Sequence, residues 1–350
     1  MALRRPTLAL LLCRGRGRRP GCCGLLAAAA LLLWLTTCPS PPDDGLDWLR
    51  HDRNASTYVR PAAATALLDS AAACGGGVRL LLAVASRPGG GEQRQAVRDT
   101  WGRALPDSRL VFMLGHDGSP HLSPELTREA AQHGDIVVED FVDNYGNLTL
   151  KTLFMLKWAA ARCAPAQHVM KTDDDMLVNV RRVLEDSEAR GSAEQPLLFG
   201  AAGDRRPQRS RCSRWRLPEW LYPGDRLPAF LTGAGYVMSR PAVTMLLRRI
   251  ADVPLINLED VYVTGLLARR TPAIPLLTAA SMRIDRPIFA HPCRLRAGYL
   301  VHGFEAGDLV IAWQRLRALG PKACDTLWLR VQAWFLRIDL GDDQATAWYP

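Results

Sequence analysis

Between residues 78 and 176, uninterrupted apolar runs alternate with helix-like stretches, and no other feature narrows the fold as much. The run at 78–85, VRLLLAVA, suits a strand buried on both faces, the habit of parallel sheets covered by helices. Residues 109–115, 135–139 and 167–170 read as three further strands. Residues 92–101, 124–132 and 147–162 read as the helices between them, with His133 and Gly134 closing the second. The alternation predicts an α/β fold with a Rossmann-like, mostly parallel sheet flanked by helices. Ligands of such sheets bind beyond the carboxyl ends of the strands.

The fourth strand runs into KTDDDM at 171–176. Three adjacent carboxylates repel one another and lose hydration when partly buried, and a divalent cation relieves both costs. Hard oxygen ligands suit Mn²⁺ or Mg²⁺ shared with a substrate phosphate. A solvated acidic turn or a helix N-cap is the plainer account of the same residues. Arg94, Arg98 and Trp101 fall on one helix face, either as a solvated face with a core tryptophan or as ligand contacts.

Charge is unevenly placed. Arg4, Arg5, Arg14, Arg16, Arg18 and Arg19 carry six of the net +9, leaving +3 for the remainder. No arginine-rich face interleaved with aromatics follows, so nucleic acid is not an expected partner. Residues 21–38 contain no charge and span roughly 27 Å as a helix, close to one hydrocarbon core. Residues 1–20 then read as a cytoplasmic basic tail and 21–38 as a signal-anchor, with a cleaved signal peptide as the alternative. Residues 39–76, rich in Pro, Ala, Asp and Gly, read as a weakly structured stem. Residues 77–350 then read as one lumenal domain in two halves, 77–176 and 177–350. Asn54 and Asn147 begin glycosylation sequons, although Asn147 also suits a helix N-cap. Five cysteines, Cys74, Cys163, Cys212, Cys293 and Cys324, lie beyond the anchor, and the simplest count is two disulfides and one thiol.

The second half is less regular. Residues 204–216 form an arginine-rich loop. The small residues of TGAGYVMS at 232–239 allow close backbone approach to a ligand, or serve a tight turn. LEDVYV at 258–263 sets Glu259 and Asp260 among apolar residues, which suits a functional acid pair or a helix start capped by Asn257. His302 lies in a short strand-like run and, alone, reads as an ordinary histidine.

Taken together, RQAVRDTWG (94–102), VFMLG (111–115), DNYGNLTLKT (143–152), VMKTDDDMLVN (169–179), TGAGYVMS, LEDVYV and YLVHG (299–303) resemble glycosyltransferase family 31, the β-1,3-galactosyl- and β-1,3-N-acetylglucosaminyltransferases. The wording is closer to the galactosyl branch. Leu231 and Thr264 stand where that family has Cys and Gly. The resemblance implies a single GT-A catalytic domain on a single-pass type II anchor in the Golgi membrane. It implies inverting transfer of galactose from UDP-galactose in β-1,3 linkage to an oligosaccharide on a glycoprotein or glycolipid. UDP-N-acetylglucosamine as donor, or a catalytically weak sugar-binding relative, are the alternatives. By the same resemblance Asp173, Asp175 and His302 hold Mn²⁺ or Mg²⁺, with Asp174 beside them. Asp260, or else Glu259, is the base. Ser86, Arg94, Arg98, Trp101 and Lys171, with Lys151 as a weaker candidate, seat the nucleotide.

Overall fold

A computed structural model describes residues 46, 48–190, 194–210, 213–279, 282, 284, 285, 295, 296 and 298–319. The chain opens with two short helices, α1 (Trp48–His51) and α2 (Ala55–Val59), and an edge strand, β1 (Ala66–Asp69). The alternation expected from sequence follows as β2 (Leu80–Ala85), α3 (Gly91–Asp99), β3 (Ser108–His116), α4 (Pro124–His133), β4 (Ile136–Val142), α5 (Leu148–Arg162) and β5 (His168–Asp173). The chain continues through β6 (Met176–Val178), α6 (Val180–Arg190), β7 (Leu198–Ala202), β8 (Leu231–Ser239) and α7 (Arg240–Arg248). A π-helical segment, Val261–Leu267, leads to β9 (Leu276–Thr278), β10 (Ile284–Asp285), β11 (Leu300–His302) and α8 (Ala306–Arg317). Gly134 adopts φ 61° and closes α4 with its N–H on the Ala130 carbonyl, a left-handed cap that glycine enters without strain.

Eight strands form one sheet in the order β1-β4-β3-β2-β5-β8-β7-β9, and β10-β11-β6 form a second, smaller sheet. Strands β4, β3, β2 and β5 are parallel neighbours. The sheet is mostly parallel as expected, and beyond β5 it becomes mixed, since β8 runs antiparallel to both β5 and β7 while β7 and β9 are again parallel. One sheet therefore joins the two halves anticipated from sequence. Alternation along β2 explains its unbroken apolarity. Leu81, Ala83 and Ala85 pack on one face with Leu153, Phe154 and Leu246, while Leu80, Leu82 and Val84 pack on the other with Val97, Trp101 and Leu309.

Residues 48–69 are not a loose stem. Leu49, Ala55 and Val59 are fully buried in the core. Arg53 donates to the carbonyls of Leu255 and Leu221, both at 2.9 Å. Lys157 of α5, itself buried, bonds Thr65 and donates to the Val59 carbonyl at 3.0 Å, and Thr65 in turn bonds the buried Glu139 of β4. A disulfide joins Cys74 to Cys163. The Pro- and Ala-rich wording hid this because its few large apolar residues are widely spaced. Segment 21–38 and Cys212, Cys293 and Cys324 lie outside the described residues, among which no helix is long and apolar enough to cross a membrane.

A chain beginning at residue 77 would lose the Cys74–Cys163 disulfide, worth about 2–5 kcal/mol, together with the apolar burial of Leu49, Ala55 and Val59. Its unfolding midpoint should fall by roughly 10 °C or more against a chain beginning at residue 46. Equal midpoints by circular dichroism would restore the stem reading.

Candidate active site

Strand β2 ends beside the triple aspartate, with Ala85 registered against Asp173. Strand β5 carries Lys171 and Thr172 inside the sheet and delivers Asp173 at its tip, and the chain turns through Asp174 and Asp175 into β6. The turn is held at both sides. Asp174 N–H donates to the Ala85 carbonyl at 3.1 Å, and the Asp175 carbonyl accepts from Gly303 and Phe304 at 3.1 and 2.9 Å. Register between β11 and β6 sets His302 opposite Met176, which brings the imidazole Nε2 to 3.2 Å from Asp175 Oδ2. Gln93, overlooked in the sequence, braces this corner by donating to the carbonyls of Asp174 and Phe304 at 2.8 and 3.1 Å.

Burial, together with Asp173 and Asp175, pushes the Asp174 carboxyl up to about 6 against the pull of Ser86 and Lys151. Among the described residues no three His, Cys, Asp or Glu side chains are grouped to hold a metal. Asp175 and His302 form a pair instead, and the Oδ1 of Asp173 is taken by Lys171 at 2.8 Å. Asp175 Oδ1, buried, has no hydrogen-bond partner among the described residues.

The second acid pair arrives from the π-helical segment. The buried Lys171 ammonium donates to the Gly233 carbonyl at 2.6 Å and stands 3.5 Å from Glu259 Oε2. Burial would lower its pKa, but Asp173 and Glu259 outweigh that and raise it. Lys171 thus ties the triple-aspartate turn to the LED segment. Glu259 is buried, accepts a hydrogen bond from the Tyr236 hydroxyl, and faces inward. Asp260 is less buried, and its carboxylate accepts from the backbone N–H of Gly233 at 3.1 Å and of Val261 at 2.9 Å. A Cβ at position 233 would stand 3.2 Å from Glu259 Oε2, so the glycine lets strand and acids meet closely. Leu231 and Thr264 also meet. Thr264 Oγ1 accepts from Leu231 N–H at 2.8 Å and donates to the Asp260 carbonyl at 2.6 Å.

Burial, only partly opposed by Lys171, pushes the Glu259 carboxyl to about 7 from an ordinary 4.5. Between those values the folded chain keeps a proton that the unfolded chain has lost. Stability should therefore decline as pH rises through that window, and level off above it. In Glu259→Gln that decline should be shallower than in the parent, read from urea midpoints of metal-free protein at pH 5 and 7.5. Identical slopes would refute it.

The helix face of Arg94, Arg98 and Trp101 lies under the site rather than in it. Arg94 is 1% exposed, pairs with Glu129, and binds the Ser86 hydroxyl and the carbonyls of Arg87 and Pro88. Arg98 pairs with Glu129 and Asp135. Trp101 is fully buried with its indole N–H on the Met176 carbonyl at 2.7 Å, so it has no free face for a base. Arg94 supports the loop after β2, while the other two brace the core. Lys151 is buried and donates to the Ser86 carbonyl at 2.6 Å and to Asp143 at 2.7 Å. Asp143, also missed, accepts from Gly115 N–H at 2.9 Å. A lysine inside the apolar pattern of α5 demands an acid, and Asp143 is the nearest one upstream. Asn54 is exposed and caps α2. Asn147 is buried and its Nδ2 donates to the Val142 carbonyl at 2.8 Å, so a glycan there would require that bond to break.

A family model described as galactosyltransferase matches residues 92–274. The chain is 34% identical over 281 residues to the Homo sapiens N-acetyllactosaminide beta-1,3-N-acetylglucosaminyltransferase 4, covering 78% of this chain and 71% of that one. It is 32% identical over 239 residues to Homo sapiens beta-1,3-galactosyltransferase 1, covering 67% and 72%. A crystal structure of the galactosyltransferase LgtC superposes over 69% of this chain and 97% of that one at 13% identity and a TM-score of 0.38, too loose a likeness to build on. The family match spans both the triple-aspartate turn and the LED segment, and with the two relatives it shows that the chain belongs to the galactosyltransferase family as a glycosyltransferase.

Proposed function

We propose that the chain is an inverting, metal-dependent hexosyltransferase of GT-A architecture that moves galactose from UDP-galactose in β-1,3 linkage to a saccharide on a glycoprotein or glycolipid. The observation that carries this reading is Lys171, which bridges the Asp173 turn and the Glu259-Asp260 pair within one buried network. A phosphate-facing end and a base-bearing end are thereby fixed against each other. One donor, N-acetylglucosamine in place of galactose, is a second reading favoured by the 34% identity to an N-acetylglucosaminyltransferase.

Asp175 and His302 would hold Mn²⁺, and the unpartnered Asp175 Oδ1 fits that role. Two protein donors suit a cation that completes its shell with phosphate and water. Bound there, the ion would neutralise charge on the leaving diphosphate. The rest of the chemistry rests on the chain itself. Asp260, held by two backbone N–H groups, takes the proton of the acceptor hydroxyl as its oxygen attacks the anomeric carbon. The bond from that carbon to the diphosphate breaks on the opposite face, which inverts the centre. Glu259 lies behind, bound by Tyr236, and positions Lys171. The Cys74–Cys163 disulfide supports an oxidising compartment, consistent with a lumenal domain on a type II Golgi anchor.

Protein beginning at residue 46 should release UDP from UDP-galactose with Mn²⁺ and a saccharide acceptor, and the product should carry a β-1,3 linkage. UDP-N-acetylglucosamine run in parallel decides the donor. No UDP released from either, with or without Mn²⁺, across a panel of glycan acceptors would sink the reading.

A further inference from the structure

Two segments that the mechanism does not use converge on Asp260. One is the turn Tyr145–Asn147 between β4 and α5, fixed by Asn144, whose side chain accepts from Asn147 N–H at 3.0 Å. The other is the loop carrying Arg214 and Trp215, closed by the bridge between Gln208 and Arg216. Both are tied to the residues just before the LED acids. Thr149 Oγ1 donates to the Ile256 carbonyl at 2.8 Å, and Asn257 Nδ2 donates to the Arg216 carbonyl at 2.9 Å. Asn257 Oδ1, buried, has no hydrogen-bond partner among the described residues.

Exposure sets these segments apart. Tyr145 and Trp215 are each 48% exposed, more than an aromatic ring gains from. The Arg214 guanidinium lies 4.6 Å from the Trp215 ring centre. The Tyr145 phenol lies within electrostatic reach of Arg214, Asp260, Asp173 and Lys171. Tyr145 therefore stands near the acid that receives the proton, and Arg214, held against Trp215, stands near Tyr145.

We propose that Tyr145 and Trp215, with Arg214 between them, form the platform on which the acceptor sugar ring lies. This rests on the glycosyltransferase reading above. The general base must be within hydrogen-bond reach of the attacking hydroxyl, so the ring bearing that hydroxyl lies against whatever borders Asp260. A hexose presents a face of C–H groups that packs on an aromatic ring, and hydroxyls at its edge that meet polar groups. Arg214 supplies a donor for those hydroxyls. The donor diphosphate belongs at the other end of the network, beside Asp175 and His302.

The test compares Tyr145→Ala, Tyr145→Phe and Trp215→Ala with the parent protein. The probes are N-acetyllactosamine and p-nitrophenyl β-N-acetylglucosaminide as acceptors, and UDP with Mn²⁺ for the donor side. In Tyr145→Ala and Trp215→Ala the acceptor KM should rise roughly five- to ten-fold. In Tyr145→Phe, which keeps the ring face, it should stay within about two-fold of the parent. The affinity for UDP, measured by calorimetry, should match the parent in all three. An unchanged acceptor KM in both alanine variants would overturn the platform and leave the glycosyltransferase reading standing. A weakened UDP affinity with an unchanged acceptor KM would give the platform to the nucleotide, and equally overturn the proposal. A parent protein that neither binds UDP nor transfers sugar would remove the reading beneath it.

Discussion

Asp260→Asn should bind UDP like the parent and transfer sugar about 10² to 10⁴ times more slowly, the range that general-base help spans. The expectation follows from what holds the side chain. Both carboxylate oxygens accept backbone N–H bonds, from Gly233 and Val261. An asparagine oxygen can keep one of those bonds, so the π-helical segment should stay seated and the loss should fall on the proton transfer. Burial raises the Asp260 carboxyl while those N–H groups and Lys171 lower it, so the group leans toward accepting a proton more than a free carboxylate does. Burial raises the Glu259 carboxyl as well, but its oxygens are occupied by Tyr236 and face Lys171 inside the core. Geometry decides between the two, because a base must reach the acceptor. Glu259→Gln should therefore retain measurable turnover, any partial loss coming from a misplaced Lys171. A dead Glu259→Gln beside an active Asp260→Asn would reverse the assignment. Circular dichroism melts of both variants separate lost chemistry from lost fold.

The parallel strands were legible because burial on both faces leaves an unmistakable apolar run, as in LLLAVA of β2. The triple aspartate was legible for the opposite reason, since three adjacent charges at the end of an apolar strand mark the place where the sheet meets solvent or a ligand. What stayed hidden depends on contacts distant in sequence. Nothing local announces that TGAGYVMS, together with Leu231, is a nine-residue antiparallel strand inserted beside β5, because its glycines signal a turn. The helix expected to reach Trp101 ends at Asp99, and Arg98 on it and Trp101 just beyond it turn toward Glu129, Asp135 and the Met176 carbonyl instead of a ligand. Periodicity fixes which residues travel together and leaves open what they meet. Lys157, Thr65 and Glu139 form one buried network across 92 residues of chain, a distance that no motif spans.

Asp175→Ala should abolish manganese-dependent transfer while leaving the fold in place. The carbonyl of residue 175, which accepts from Gly303 and Phe304, survives the substitution, so the turn between β5 and β6 keeps its backbone anchors. The side chain contributes little to stability. Its one recorded ion pair, with His302 at 3.2 Å, is more than a third exposed on the Asp175 side and screened by solvent. The buried Oδ1 without a partner is a cost to the metal-free protein, and the alanine removes it. The parent should thus melt at a similar temperature to the variant without ligand and part from it once Mn²⁺ and UDP are added. At a hundred times the dissociation constant, binding adds about 2.7 kcal/mol, or roughly 5–10 °C for a domain of this size. That rise should be absent in Asp175→Ala and reduced in His302→Ala, which still presents the carboxylate. Near-parental turnover in Asp175→Ala, together with an intact thermal response to Mn²⁺ and UDP, would mean that the acid cluster at the strand tip serves the fold alone. The proton acceptor at Asp260 would then need a different partner to hold the donor in line with it.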